Sequence, residues 1–369
     1  MARQIEAGFS RVLSLDTMRG FTIAAMIMVN FPGSEEHVFP TLRHTKWNGL
    51  TFTDLIAPVF LFIVGVSIAF AYSRRLQENS PKTELYKKII IRSLKIFAVG
   101  MFLNLLPNFD FPNLRYTGTL HRIAIVFLSC AILFLNTNWK QQVYIGAGIL
   151  IIYWLVMTLI PTPGMGKVML DPGNNLAAWI DQQYLPGKMW QGNWDPEGIL
   201  STFPSIVSGI SGMLAGRLLL SRSSPNEKVN YLVTTGLFVA SAGYFWGLIF
   251  PVNENLWTSS FVLVTSGFAA MLLGALYFLV DIMDKKRGTK VGVIFGANAI
   301  AVYVLADILA LLFYISSFDG KTLNQHFVDN LINGGIEPRL ASLLYALLFV
   351  SVNFIPAYTL YRKRIFIKL

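Results

Sequence analysis

The residues best suited to chemistry lie within the first 54 positions. His44 carries a side chain that titrates near neutrality, so it can act as base, acid or nucleophile toward a thioester. It can equally be an interfacial histidine that hydrogen-bonds a backbone carbonyl. Asn30 has an amide able to donate to a developing oxyanion. Standing just before Pro32 and Gly33, it also suits the end of a helix. Asp54 opens an apolar run, where an aspartate caps a helix N-terminus. Its alternative roles are to orient His44 or to pair with a cation such as Arg122.

Other polar groups interrupt apolar surroundings. Asp16 and Arg19 are neighbours on one helical face and either pair with each other or let Arg19 meet a ligand phosphate. His121 and Arg122 open a further apolar run, where the arginine snorkels or faces a polar cavity. Asn298 and Asp307 sit within another run, and Asn104 and Asn353 are of the same kind; such groups usually face other helices or water. The segment Asp195-Pro196-Glu197-Gly198 reads as a helix start, with Asp195 as the cap. Trp47 and Trp257 fit interfacial belts, and Trp47 can also stack on a sugar ring. The four histidines, at 37, 44, 121 and 326, form no paired helical motif, so no metal site is expected. The single cysteine, Cys130, excludes an intramolecular disulfide. No nucleophile elbow, phosphate loop or dinucleotide fingerprint appears.

The elements that must hold these residues are membrane helices. Of 369 residues 54% are hydrophobic and 14% charged, and the mean hydropathy is +0.54. Soluble domains carry roughly 25% charged residues. Continuous apolar runs, not alternation, indicate an all-α polytopic membrane protein. They fall at Leu13–Phe31, Phe52–Tyr72, Lys88–Leu106, Thr119–Leu135, Val143–Ile160, Ile199–Leu220, Tyr231–Phe250, Ser259–Val280, Val291–Ile315 and Leu340–Tyr361, about ten spans. With both termini in the cytoplasm, 22 of the 30 Lys and Arg residues fall inside and 8 outside. The net charge of +10 is therefore a topology signal that suits lipid headgroups, not nucleic acid. One membrane domain, 1–369, is expected. Its long outer loop, 161–198, holds a short amphipathic helix at Leu176–Tyr184 and the aromatics Trp190 and Trp194, and reads as a lid over a pocket. A symmetric homodimer is the default expectation, though no residue selects it.

Several stretches together resemble a known family. They are Arg11 to Gly20 with Asp16 and Arg19, Val29-Asn30, His44 to Leu55 with Trp47, Asn48 and Asp54, and Phe62 to Gly65. Gly118 to Ile123, Asp195 to Thr202 and Gly296-Ala297-Asn298 add to them. The pattern is similar to the heparan-α-glucosaminide N-acetyltransferase family of transmembrane acyltransferases. The resemblance implies that acetyl-CoA on the cytosolic side supplies an acetyl group to the amine of a glucosamine across the membrane. It implies that His44 is the active histidine and Asn30 the important asparagine, with Asp54 beside them. Trp47, Asn48, Arg122, Trp194, Asp195, Glu197 and Asn298 are then expected to serve the acceptor, and Asp16 and Arg19 the CoA. Because the chain starts directly at the shared core, it looks like a bacterial-type member of the inner membrane. Its acceptor is then an amino sugar or glycan that need not be heparan. His44 takes the acetyl itself or acts as general base; both routes remain open. A permease without catalysis, which polar mid-span residues would also suit, and an O-acetyltransferase of envelope glycans are the rival readings.

Overall fold

The computed structural model describes residues 12–367, apart from 79, 107, 108, 316 and 319. Arg3, Arg11 and Lys368, counted above among the inner cations, lie outside the described residues. The fold is a helical bundle. Its helices are α1 (Leu13–Asn30), α2 (Phe52–Gln77), α3 (Lys82–Leu105), α4 (Thr119–Asn136), α5 (Trp139–Leu159) and α6 (Leu176–Tyr184). They continue with α7 (Ile199–Leu219), α8 (Pro225–Trp246), α9 (Ser259–Leu276), α10 (Thr289–Ala297), α11 (Ala299–Ala310), α12 (Leu323–Asn333) and α13 (Pro338–Arg362). Among the described residues the only paired strands are β1 (Ser317–Phe318) and β2 (Lys321–Thr322), a two-residue antiparallel hairpin.

Each apolar run of the sequence is helical. Among the described residues six helices have the length and apolarity to cross a bilayer: α2, α4, α5, α7, α9 with its continuation to Ile282, and α13. The α10–α11 pair would make a seventh. Helix α3 falls short because it carries Lys82, Glu84, Lys87, Lys88, Arg92 and Lys95. Apolar runs also understate where helices begin, since first turns at a membrane surface are polar. Helix α5 starts at Trp139, where Asn138 accepts the Gln141 N–H at 3.0 Å and Gln141 accepts the Asn138 N–H at 2.9 Å. Helix α8 starts at Pro225 through the same reciprocal arrangement of Ser224 and Glu227. At α1 the free N–H groups of Leu13 and Ser14 both donate to the Asp281 carboxylate, each at 3.0 Å.

One expected span is not continuous. The run Val291–Ile315 breaks at Asn298, and its two parts lie at 81°. Asn298 leaves the helical region (φ −131°, ψ 41°), and its side chain binds backbone instead. Its Nδ2 donates to the Ile365 carbonyl at 3.0 Å and its Oδ1 accepts the Ile367 N–H at 2.8 Å.

The helix pairs that carry the motifs are in backbone contact. A Cβ on Gly20 of α1 would stand 1.7 Å from the Gly292 carbonyl oxygen of α10, and one on Gly296 would stand 2.4 Å from that of Asp16. Likewise a Cβ on Gly65 of α2 would lie 1.9 Å from the Gly209 oxygen of α7. In lipid, where apolar side chains gain little by leaving the tails, such close approach supplies the packing contact that holds helices together. The main core then spans α1, α2, α4, α7 and α13, with Ile27, Phe60, Phe134 and Phe349 buried in it. Gly65→Val has no space to enter without separating α2 from α7. Overpacking of this kind typically costs about 1–3 kcal/mol, so the purified variant is expected to unfold at a lower temperature than the parent in the same detergent.

Candidate active site

The segment that follows α1 is irregular but tightly held. The Arg43 guanidinium donates to the carbonyls of Glu35 at 2.6 Å and Glu36 at 3.2 Å. The Thr51 hydroxyl donates to the Arg43 carbonyl at 2.9 Å. His44 is thereby fixed between a pinned loop and the start of α2.

Asp54 performs both of the roles its position allowed. Its Oδ2 accepts the Thr51 N–H at 2.7 Å, which closes the N-terminus of α2. Its Oδ1 lies 2.9 Å from His44 Nδ1. No pairing with Arg122 occurs. The Asp54 side chain is fully buried, whereas that of His44 is 55% exposed.

A third group completes the arrangement, and it comes from far along the chain. Glu254, in the loop between α8 and α9, places Oε2 2.7 Å from the same Nδ1. That loop is clipped to the histidine segment: Asn253 donates to the Asn48 side chain at 3.0 Å, and the Gly49 N–H donates to the Val252 carbonyl at 2.8 Å. Nearby Trp257 holds a left-handed backbone (φ 50°) while buried, with its indole N–H donating to Ser208 at 3.2 Å. The sequence held no motif around Glu254. The only signal was a polar Asn253-Glu254-Asn255 tripeptide between two apolar runs.

The electrostatics follow from this geometry. Burial alone would lower the His44 pKa, but the hydrogen bonds and charges of Asp54 and Glu254 outweigh it and raise it to about 10. Glu254 is pushed up to about 7, first by burial and further by the Asp54 charge, against the pull of His44. Both carboxylates engage Nδ1, and among the described residues no hydrogen bond occupies Nε2. The three donor atoms also lie within 4.8 Å of one another, close enough to share a divalent cation.

His44 and Asn30 line one cavity of about 1350 Å³, with Arg122, Trp194, Glu197, Glu254 and Asp307. The Tyr303 hydroxyl interacts with the side chains of Asn30 and Thr119 at its wall. Arg122 is buried there, donates to the Pro196 carbonyl and the Ser201 hydroxyl, each at 2.6 Å, and lies 4.6 Å from the Trp257 ring centroid. It faces a cavity and does not snorkel.

The remaining expected site residues are placed differently. Trp47 donates to the Leu170 carbonyl at 2.9 Å and meets Trp194 edge-on at 5.1 Å, so it joins the histidine segment to the 161–198 loop. Asp195 is not the cap of α7. Three residues before the cap position, Gly198, it accepts from Arg115 at 2.6 and 2.8 Å, from Thr117 at 2.7 Å and from the Trp190 N–H at 3.0 Å. Arg115 lowers its pKa, against burial. Asp181 of α6 supplies the cap, accepting the Ile199 N–H at 2.8 Å, and burial raises its own pKa to about 7. Asn298 lies outside the cavity lining, on the bend already described. Asp16 and Arg19 also lie outside it; Arg19 donates to Asp16 at 3.3 Å and to Ser67 of α2 at 2.9 Å.

Comparison with known proteins gives this constellation a family. The family model described as heparan-alpha-glucosaminide N-acetyltransferase, catalytic, matches residues 11–243. The chain belongs to that family. It is 29% identical to heparan-alpha-glucosaminide N-acetyltransferase of Homo sapiens over 97% of its own length and 60% of the relative's. For the protein of that name from Mus musculus the identity is 28%, over 98% and 61%. The chain thus spans under two thirds of these curated relatives. The matched region contains Asn30, His44 and Asp54 but ends before Glu254. Family membership and the apolar helices make this a multi-pass membrane protein.

Because the two carboxylates raise the His44 pKa, a step that needs the neutral imidazole speeds up as pH increases toward about 10. Glu254→Gln removes one source of that rise. The acid limb of its kcat/KM–pH profile is expected to move down by about one unit or more, while Asp195→Asn leaves the limb in place.

Proposed function

We propose that the protein is a transmembrane acetyltransferase that moves an acetyl group from cytoplasmic acetyl-CoA to the amine of a glucosamine-type sugar across the membrane. The observation that carries this reading is the imidazole of His44. Its Nδ1 is held by two carboxylates and its Nε2 is left for a substrate, in a cavity shared with the Asn30 amide. The name of the curated relatives supports the choice of an amino-sugar amine as acceptor.

In the proposed reaction the acceptor nitrogen attacks the thioester carbonyl carbon. The C–N bond forms, the proton of the amine passes to His44 Nε2, and the Asn30 amide donates to the oxyanion. The C–S bond then breaks, and the CoA thiolate takes the proton from the imidazolium. Asp54 and Glu254 favour this general-base route because both stabilise the imidazolium that it creates. Trp194, Arg122 and Glu197 contact the acceptor, while Trp47, Asn48 and Asp195 hold the walls that present them. The phosphates of CoA stay at the basic inner face, near Asp16 and Arg19, its pantetheine arm threads toward the outer face to bring the thioester to Asn30 and His44, and only the acetyl group is handed across. Ten spans with both termini inside a bacterial cytoplasmic membrane accord with the 22 to 8 division of cations.

One feature favours a second reading. The span is broken at Asn298, and discontinuous spans are a common device of solute carriers. Purified protein in liposomes with labelled acetyl-CoA and glucosamine separates the two. Acetylglucosamine formation supports the enzyme; uptake of glucosamine with no CoA release supports the carrier. In the enzyme, His44→Ala is expected to lower turnover by about 10²–10⁴ and Asn30→Ala by about 10²–10³. Chelation with EDTA leaves turnover unchanged if a proton, not a cation, joins His44 to its carboxylates. Stable label on His44 after incubation with acetyl-CoA alone would refute the direct route.

A further inference from the structure

The cavity has a second polar wall that the acetyl-transfer chemistry does not use. Asp307 lies on α11, half-buried, and lines the same space as His44. Among the described residues no hydrogen bond or ion pair engages its carboxylate. Of the other acids of the lining, Glu197 pairs with Arg115 at 2.5 Å and Glu254 binds His44, while Glu35 and Glu36 are exposed to solvent. A carboxylate in a low-dielectric wall without a partner is costly, so the site favours a cation.

His121 of α4 lines the same cavity. It is 3% exposed, and neither ring nitrogen has a hydrogen-bond partner among the described residues. Its position is built: the ring meets Phe97 edge-on at 4.6 Å, and Gly100 leaves the room it occupies, since a Cβ there would stand 2.8 Å from its Cε1. Leaving a buried polar group unpaired is costly. A neutral imidazole presents one donor and one acceptor, which is the requirement of a hydroxyl group. Asp307 and Tyr303 are one helical turn apart on α11, and the Tyr303 hydroxyl interacts with Asn30. A cation held by Asp307 therefore stands on the oxyanion side of the cavity.

We infer that Asp307 and His121 form the recognition subsite for the acceptor: Asp307 pairs with the ammonium of a cationic amino sugar and takes one of its protons, leaving the neutral amine that attacks the thioester, and His121 binds a ring hydroxyl. The inference rests on the acetyltransferase reading for its biological sense, but the subsite is a binding claim and is tested as one. Charge then selects the acceptor: cationic sugars enter, and neutral sugars of the same shape bind less well.

The test is equilibrium binding of glucosamine and of glucose to the purified full chain without acetyl-CoA, by titration calorimetry. The parent protein is expected to prefer glucosamine by about tenfold. Asp307→Asn removes that preference, and Asp307→Glu retains part of it, which also guards against a folding defect in the first variant. His121→Ala weakens both sugars alike, and His121→Gln recovers part of the loss. With turnover, Asp307→Asn raises the KM for glucosamine and leaves the KM for acetyl-CoA unchanged. A parent that binds both sugars equally, or an Asp307→Asn protein that keeps the preference, overturns the subsite. A parent that prefers glucosamine yet releases no CoA from acetyl-CoA leaves the subsite standing and defeats the enzyme reading.

Discussion

One carboxylate governs the reactive end of this molecule. Asp54 must close the first turn of α2 at the membrane surface, and with its other oxygen it holds an imidazole in one orientation. The two tasks reinforce each other. The helix fixes the carboxylate to within a hydrogen bond, and the carboxylate in turn fixes Nδ1, so Nε2 has one direction in which to face. Glu254 then makes the histidine a stronger base than either acid would alone. The loop that delivers it is tied back to Asn48 and Gly49, a few residues beyond the histidine itself. The site is thus assembled from two distant segments that clip together outside the helices.

The bundle beneath it depends on absence of side chains at chosen points. Gly20 against Gly292, and Gly65 against Gly209, bring backbones into contact and set how α1 and α2 lean on their neighbours. Gly20 and Gly65 lie within the stretches that carry the family resemblance. Their presence there is a packing requirement, distinct from the chemistry of His44 and Asn30 but needed to place it.

Much of this was legible in the sequence, for reasons that can be named. Apolar runs mark helices in lipid because backbone groups must be satisfied internally, and each run is helical here. Asn30, His44 and Asp54 were visible because polar groups at the mouth of oily spans need a cause. What stayed hidden depended on contacts between distant residues. Glu254 joins His44 across 210 positions. Local spacing gave the cap of α7 to Asp195, but Arg115 engages that side chain and Asp181, from the preceding helix, accepts the Ile199 N–H instead. The break at Asn298 was hidden because an asparagine in an apolar run has no signature that distinguishes a bend from a buried contact.

Asn298 has a further consequence. Its amide meets the carbonyl of Ile365 and the N–H of Ile367, so one side chain imitates the edge of a sheet and the tail docks on it by register. Backbone alone is read at those two positions. The tail tolerates exchange of Ile365 or Phe366 for other residues, but a proline at 367 would remove the donor and unfasten the elbow. Two hydrogen bonds thus fasten the tail beyond α13 to the bend of the kinked span.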